Sequence, residues 1–124
     1  MGDLTRHFSV SEVKCPCGCG EISLNLDLLK MLEVARTIAH IPFGINSWCR
    51  CEKHNKDVGG VDGSSHLKGL AVDIRAESVA KRRLIYNALK QAGFARFGIG
   101  RTIIHVDIDD KKTSPATWRY LRGI

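Results

Sequence analysis

The chain has 124 residues, and Lys and Arg outnumber Asp and Glu by 19 to 13, for a formal net charge of +6. With 44% hydrophobic and 26% charged residues it is not a disordered chain, and its length suits one domain with its own core, expected over 1–124. No apolar run approaches the roughly 20 residues of a membrane span, so membrane insertion is not expected.

In chain order, residues 1–20 read as an irregular segment ending in a Gly/Cys turn. Asn25 then offers a helix N-cap, and Leu28, Leu29, Leu32, Ala35 and Ile38 recur at helical spacing until Pro42. Residues 43–47 read as a short strand. Residues 52–65, with Gly59, Gly60 and Gly63 among polar neighbours, read as a loop. Residues 70–74 form a short apolar-leaning strand. Ser78 caps a second helix whose apolar face is Leu84, Ile85, Ala88, Leu89 and Ala92, and Gly93 stops it. Residues 97–100 make a turn or short strand, and residues 102–108, alternating and β-branched, are the firmest strand. No repeat or linker divides the chain. These elements predict an α+β domain with a small antiparallel sheet and flanking helices.

The positive charge favours anionic partners, but the cations are scattered, with only short runs such as Lys81-Arg82-Arg83. There is no basic stripe interleaved with aromatics, and no nucleic-acid partner is expected.

The chemistry concentrates in Ser64-Ser65-His66-Leu67-Lys68-Gly69-Leu70-Ala71-Val72-Asp73-Ile74. His66 ends a glycine-rich loop, and Asp73 sits inside an apolar strand, where a carboxylate is costly unless a cation or several donors satisfy it. His105 lies in the next strongly apolar strand, with Asp107 two residues on and facing the same way. Two imidazoles, one carboxylate and an open fourth position meet the needs of catalytic zinc. The competing reading makes His66 and Asp73 turn and cap residues and His105 a core histidine. His105, Asp107 and Asp109 also alternate in a way that lets all three face solvent while Ile104, Val106 and Ile108 face the core.

Further residues join this pattern: Ser47, Arg50, His54-Asn55, Val58-Gly59-Gly60, Gly98-Ile99-Gly100 and His105-Val106-Asp107. Together with the 64–74 block, in this order, they resemble the M15 zinc peptidases, from about Phe8 to Trp118. That family comprises D-Ala-D-Ala carboxypeptidases and peptidoglycan endopeptidases, related in fold to the hedgehog signalling domain. The resemblance implies that His66, Asp73 and His105 hold one Zn2+ per chain. It implies that Arg50 reaches into a cleft to grip a substrate carboxylate or carbonyl, a task suited to a planar, permanently charged fork. Ser64 either borders the substrate or serves only the turn before His66. The expected partners are peptidoglycan stem peptides, and the expected state is a monomer.

One departure concerns the proton. Many relatives place a general base three or two residues before the last zinc ligand, and here those positions are Thr102 and Ile103. Asp107 is then the expected base, with an orienting role toward His105 as the alternative. A domain that keeps the metal but only binds wall peptide or a protein partner is the competing functional reading. Residues 1–10 lack the apolar core of a signal peptide. Synthesis in the cytoplasm and action at the bacterial wall, as in a phage lysis protein, are therefore expected.

The five cysteines fall in two knots, Cys15-Pro16-Cys17-Gly18-Cys19 and Cys49-Arg50-Cys51, and an odd number cannot all pair internally. Free thiols, a disulfide formed after export and a bound metal all remain open. Cys-x-Cys is tighter than the usual spacing for one tetrahedral ion. Any bridge would stiffen the loop that presents Arg50. A Cys51–His54 nucleophile pair lacks an orienting partner.

Overall fold

The computed structural model describes residues 2–19, 24–60 and 64–120. Gly20, at the end of the predicted first segment, and Gly63, in the predicted loop, lie outside the described residues.

The two long helices form where periodicity and caps predict them. The Asn25 side chain accepts hydrogen bonds from the backbone N–H groups of Asp27 and Leu28, and α2 runs Leu26–Ala39 with Leu28, Leu29, Leu32, Ala35 and Ala39 buried. Such a cap contributes about 1 kcal/mol. The helix ends at His40 in the left-handed region. Ser78 accepts from the Lys81 N–H and opens α4, Val79–Gln91. Ile85, Ala88 and Leu89 are buried, but Leu84, expected on the same face, is 42% exposed. It lies about 100° around the helix from Ile85, at the margin of a narrow apolar stripe.

Two short helices depart from the sequence reading. The opening segment contains α1, Val10–Val13, where the Glu12 side chain accepts from the Ser9 N–H. The predicted 52–65 loop contains α3, Glu52–Asp57, whose first turn is closed by the Cys51 sulfur accepting from the His54 N–H. Only Asn55 of α3 is buried, so its sequence carries no apolar period to read.

The strands are β1 Gly44–Ser47, β2 Ala71–Arg75, β3 Arg96–Ile99, β4 Ile103–Asp107 and β5 Ala116–Arg119, in the sheet order β1-β2-β4-β3-β5. β1–β2, β2–β4 and β3–β4 pair antiparallel, while β5 pairs parallel to β3. The sheet is therefore mostly antiparallel, not wholly so as expected. The edge strand β5 departs because the chain leaving β4 travels to the far side of β3 before it pairs.

Alternation sorts the sheet's faces. Val72, Ile74, Phe97, Ile104 and Val106 join the buried faces of α2 and α4 in one core. Asp73, His105 and Asp107 point the other way. The register then lines up one row across all five strands: Ser47 opposite Asp73, Asp73 opposite His105, His105 opposite Gly98, and Gly98 opposite Trp118. That row is the floor of a cleft.

Candidate metal centre

Directly opposed residues on neighbouring strands bring their side chains within about 5.5 Å, so pairing alone sets His105 beside Asp73. The His105 Nδ1 lies 2.8 Å from Asp73 Oδ1. His66 arrives from the turn before β2, held by Ser64, whose hydroxyl accepts from the His66 N–H at 3.2 Å. Its Nε2 is 3.3 Å from the same Asp73 oxygen. One ligand atom from each of the three residues lies within 4.8 Å of the others, and all three residues are buried.

The donors fit a metal for a reason visible in the tautomers. His66 Nδ1 sits 2.8 Å from the Trp48 carbonyl oxygen, which only accepts, so this nitrogen carries the proton. In the neutral ring the Nε2 lone pair then faces a carboxylate oxygen, an arrangement that is favourable only with a cation between them. The 2.8 and 3.3 Å separations are close to the roughly 3.4 Å edge of a tetrahedron with arms of about 2.1 Å, the length of zinc–nitrogen and zinc–oxygen bonds.

Electrostatics agrees with this arrangement. Burial pushes the Asp73 carboxyl up, but its contacts with His105 and His66 outweigh that and hold it well below the usual carboxylate range. Burial pushes His105 down, but Asp107 and Asp73 on its two nitrogens raise it above the ordinary imidazole value.

Around this trio stands a cleft of about 500 Å³, lined among others by Arg50, Ser64, Arg96, Lys112, Trp118 and Tyr120. Arg50 is held by three partners. Its Nε donates to Ser47 Oγ at 3.1 Å, one terminal nitrogen donates to Asn55 Oδ1 at 3.1 Å, and the other lies 3.5 Å from Asp73 Oδ2. The backbone N–H of Arg50 also bonds the His66 carbonyl at 3.2 Å, so the loop presenting the guanidinium is tied to the one presenting the imidazole.

Asp107 is engaged on both oxygens. Oδ2 lies 2.8 Å from His105 Nε2, while Oδ1 accepts from Arg96 Nε at 2.7 Å and from the Asp109 N–H at 3.2 Å. Burial pushes its carboxyl up, and the bonds from His105 and Arg96 bring it below the usual range. Asp109 does not join the cleft wall: its buried carboxylate accepts from Ser65 Oγ at 2.9 Å and from Lys68 Nζ at 3.1 Å, bracing the turn before β2.

Sequence reasoning missed Arg96, Trp118 and Tyr120. The Trp118 ring lies 5.6 Å from the His105 ring, and the Arg96 guanidinium stacks 5.0 Å from the Trp118 ring. This needs glycine at 98, where a Cβ would come within 2.6 Å of the Trp118 indole nitrogen and 2.8 Å of the Tyr120 hydroxyl. Burial raises the Tyr120 hydroxyl above its ordinary value, so it stays a donor. The alternation Thr117-Trp118-Arg119-Tyr120 was the available signal, a strand with both aromatics on one face.

A His-Asp-His donor set on the floor of an open cleft is what a metal-dependent hydrolase uses. A sequence model described as Peptidase M15 matches residues 6–109, and the chain belongs to that family. The match takes in all three donor residues, Arg50 and Asp107. No curated protein matches the sequence.

Proposed function

We propose that the chain is a zinc-dependent peptidase that cuts peptide bonds in peptidoglycan stem peptides, as a carboxypeptidase or an endopeptidase. The convergence of His66, Asp73 and His105 beneath Arg50 carries this reading. Zinc held by the three residues supplies Lewis acidity and lowers the pKa of a water into the neutral range. Arg50, Arg96 and Lys112 give the cleft three cations, suited to a substrate carrying carboxylates, as wall stem peptides do. Tyr120 offers a hydroxyl donor above the floor. The net charge of +6 favours residence on an anionic wall.

Incubating zinc-loaded protein with purified muropeptides and reading the products by mass spectrometry tests the proposal. Released D-Ala or split stem peptides, absent from a chelated control, are the expected result. Unchanged muropeptides at every zinc loading would overturn it.

We assign Asp107 a positioning role toward His105 rather than that of the base, a reading supported by its oxygens being engaged by His105, Arg96 and a backbone N–H. A carboxylate on the far nitrogen of a metal-binding imidazole fixes the ring and strengthens it as a donor, and its loss typically costs about 10–100-fold in metal affinity or activity. Asp107→Asn should therefore weaken zinc affinity by that factor, with rate restored at saturating zinc. An inactive Asp107→Asn protein with normal zinc affinity would return the base role to this residue.

A domain that binds wall peptide without cutting it is the second reading. It is favoured by one observation: Thr102 and Ile103 occupy the positions where relatives carry a base, and the cleft's two carboxylates are both committed. Retention of intact muropeptides by the zinc-loaded protein would select it.

A further inference from the structure

Outside the cleft, the two cysteine knots of the sequence meet. Sγ–Sγ separations are 3.4 Å for Cys15–Cys17, 3.6 Å for Cys17–Cys51 and 3.8 Å for Cys15–Cys51. With Cys19, the four sulfurs all lie within 4.8 Å of one another. A disulfide holds its sulfurs at about 2.05 Å, so these contacts are not bonds. A zinc ion with arms of about 2.3 Å to each sulfur sets tetrahedral edges of about 3.8 Å.

We infer that Cys15, Cys17, Cys19 and Cys51 bind a second divalent metal, of the zinc type that soft thiolates select, as a structural tetrathiolate site. The surroundings suit thiolates. The Cys51 backbone N–H donates to the Cys15 sulfur at 3.4 Å and the His54 N–H to the Cys51 sulfur at 3.3 Å. Backbone donors of this kind orient ligands and spread their negative charge.

The tight Cys-x-Cys spacing, an obstacle in the sequence, is relieved by Gly18. Its φ of +88° turns the chain between Cys17 and Cys19, in a region that glycine enters without steric cost. The fourth ligand comes from a distant segment rather than from a second Cys-x-Cys pair. Cys49, the fifth cysteine, is fully buried in the hydrophobic core, which accounts for the odd count.

The site has a mechanical role. Residues 2–19 contain only the four-residue α1. A metal would clamp this segment to Cys51, which caps α3 and immediately follows Arg50.

Protein purified under reducing conditions should carry two metals per chain by elemental analysis. His66→Ala should retain one, and cobalt substitution of that variant should show the intense thiolate-to-metal charge-transfer band. Cys17→Ser/Cys19→Ser, at exposed positions, should lose that band and one metal, with a fall in Tm on the order of 10 °C. Should that variant fail to fold, mercurial titration of the wild-type protein reads the same site: metal must leave in step with thiol modification. If only the cleft failed to bind metal, the wild-type protein would hold one ion with the thiolate signature. Metal-loaded His66→Ala without a thiolate band, thiols reacting without metal release, or a disulfide among these cysteines in the reduced preparation would overturn the inference.

Discussion

Replacing His66 or Asp73 with alanine should lower peptide cleavage by about a thousandfold or more, the several kcal/mol that a catalytic metal contributes to the transition state. Bound zinc at the cleft should fall in parallel. Among the described residues three protein donors meet there, so losing one leaves the ion with two of them. The two substitutions differ in what they strand. His66→Ala leaves the Trp48 carbonyl without its ring N–H partner but keeps Asp73 between His105 and Arg50. Asp73→Ala removes the carboxylate that both imidazoles and Arg50 face, leaving the half-buried guanidinium without its charged neighbour. Asp73→Ala should thus be the more destabilising, by about 3–5 kcal/mol, as expected when one partner of a buried charge pair is lost. Asp73→Asn separates chemistry from fold, since it keeps the shape and loses the charge. Circular dichroism and Tm report folding, and cleavage of muropeptides reports activity. Wild-type rates in a folded, zinc-depleted Asp73→Asn protein would show that the reaction does not depend on this donor set.

How much of this was legible in the sequence depended on how local each signal is. The helices α2 and α4 were legible because Asn25 and Ser78 cap them and a core-facing stripe repeats along them. The helix α3 was not, because it buries one asparagine and is started by a cysteine sulfur, a cap that composition does not announce. The strand β5 was hidden for another reason. Its burial alternates weakly, and only its non-local parallel pairing to β3 defines it. That strand carries Trp118, so the aromatic wall of the cleft was missed with it.

Asp73 and His105 were readable as costly polar groups in apolar strands, and His66 as a histidine ending a glycine-rich loop. Their face was not. His105, Asp107 and Asp109 alternate along one strand and its continuation, and sequence left open whether they face solvent. The structure separates them: His105 and Asp107 enter the cleft wall, whereas Asp109 turns to Ser65 and Lys68. The partners of Asp107 were hidden as well, since Arg96 on the neighbouring strand is a cross-sheet contact that no local pattern encodes.

Arg50 supplies the second large effect. Its guanidinium is spent in a graded way: Nε and one terminal nitrogen are bound to neutral acceptors, Ser47 and Asn55, while the other terminal nitrogen is 3.5 Å from Asp73, longer than a good charge-assisted bond. The neutral partners orient the fork without neutralising it, leaving its charge for a substrate carboxylate. Arg50→Ala should lower kcat/KM by roughly 30–1,000-fold, the 2–4 kcal/mol expected from removing a desolvated charge pair, with most of the loss in KM. Arg50→Lys should recover little, because one ammonium cannot reach Ser47, Asn55 and the cleft together and offers no bidentate grip. A matched pair of stem peptides, one with a free terminal carboxylate and one amidated, makes the test specific. The wild-type protein should prefer the free acid, and Arg50→Ala should erase that preference while cleaving the amide almost as before. An equal loss on both peptides would mean instead that Arg50 serves the site by holding Asp73.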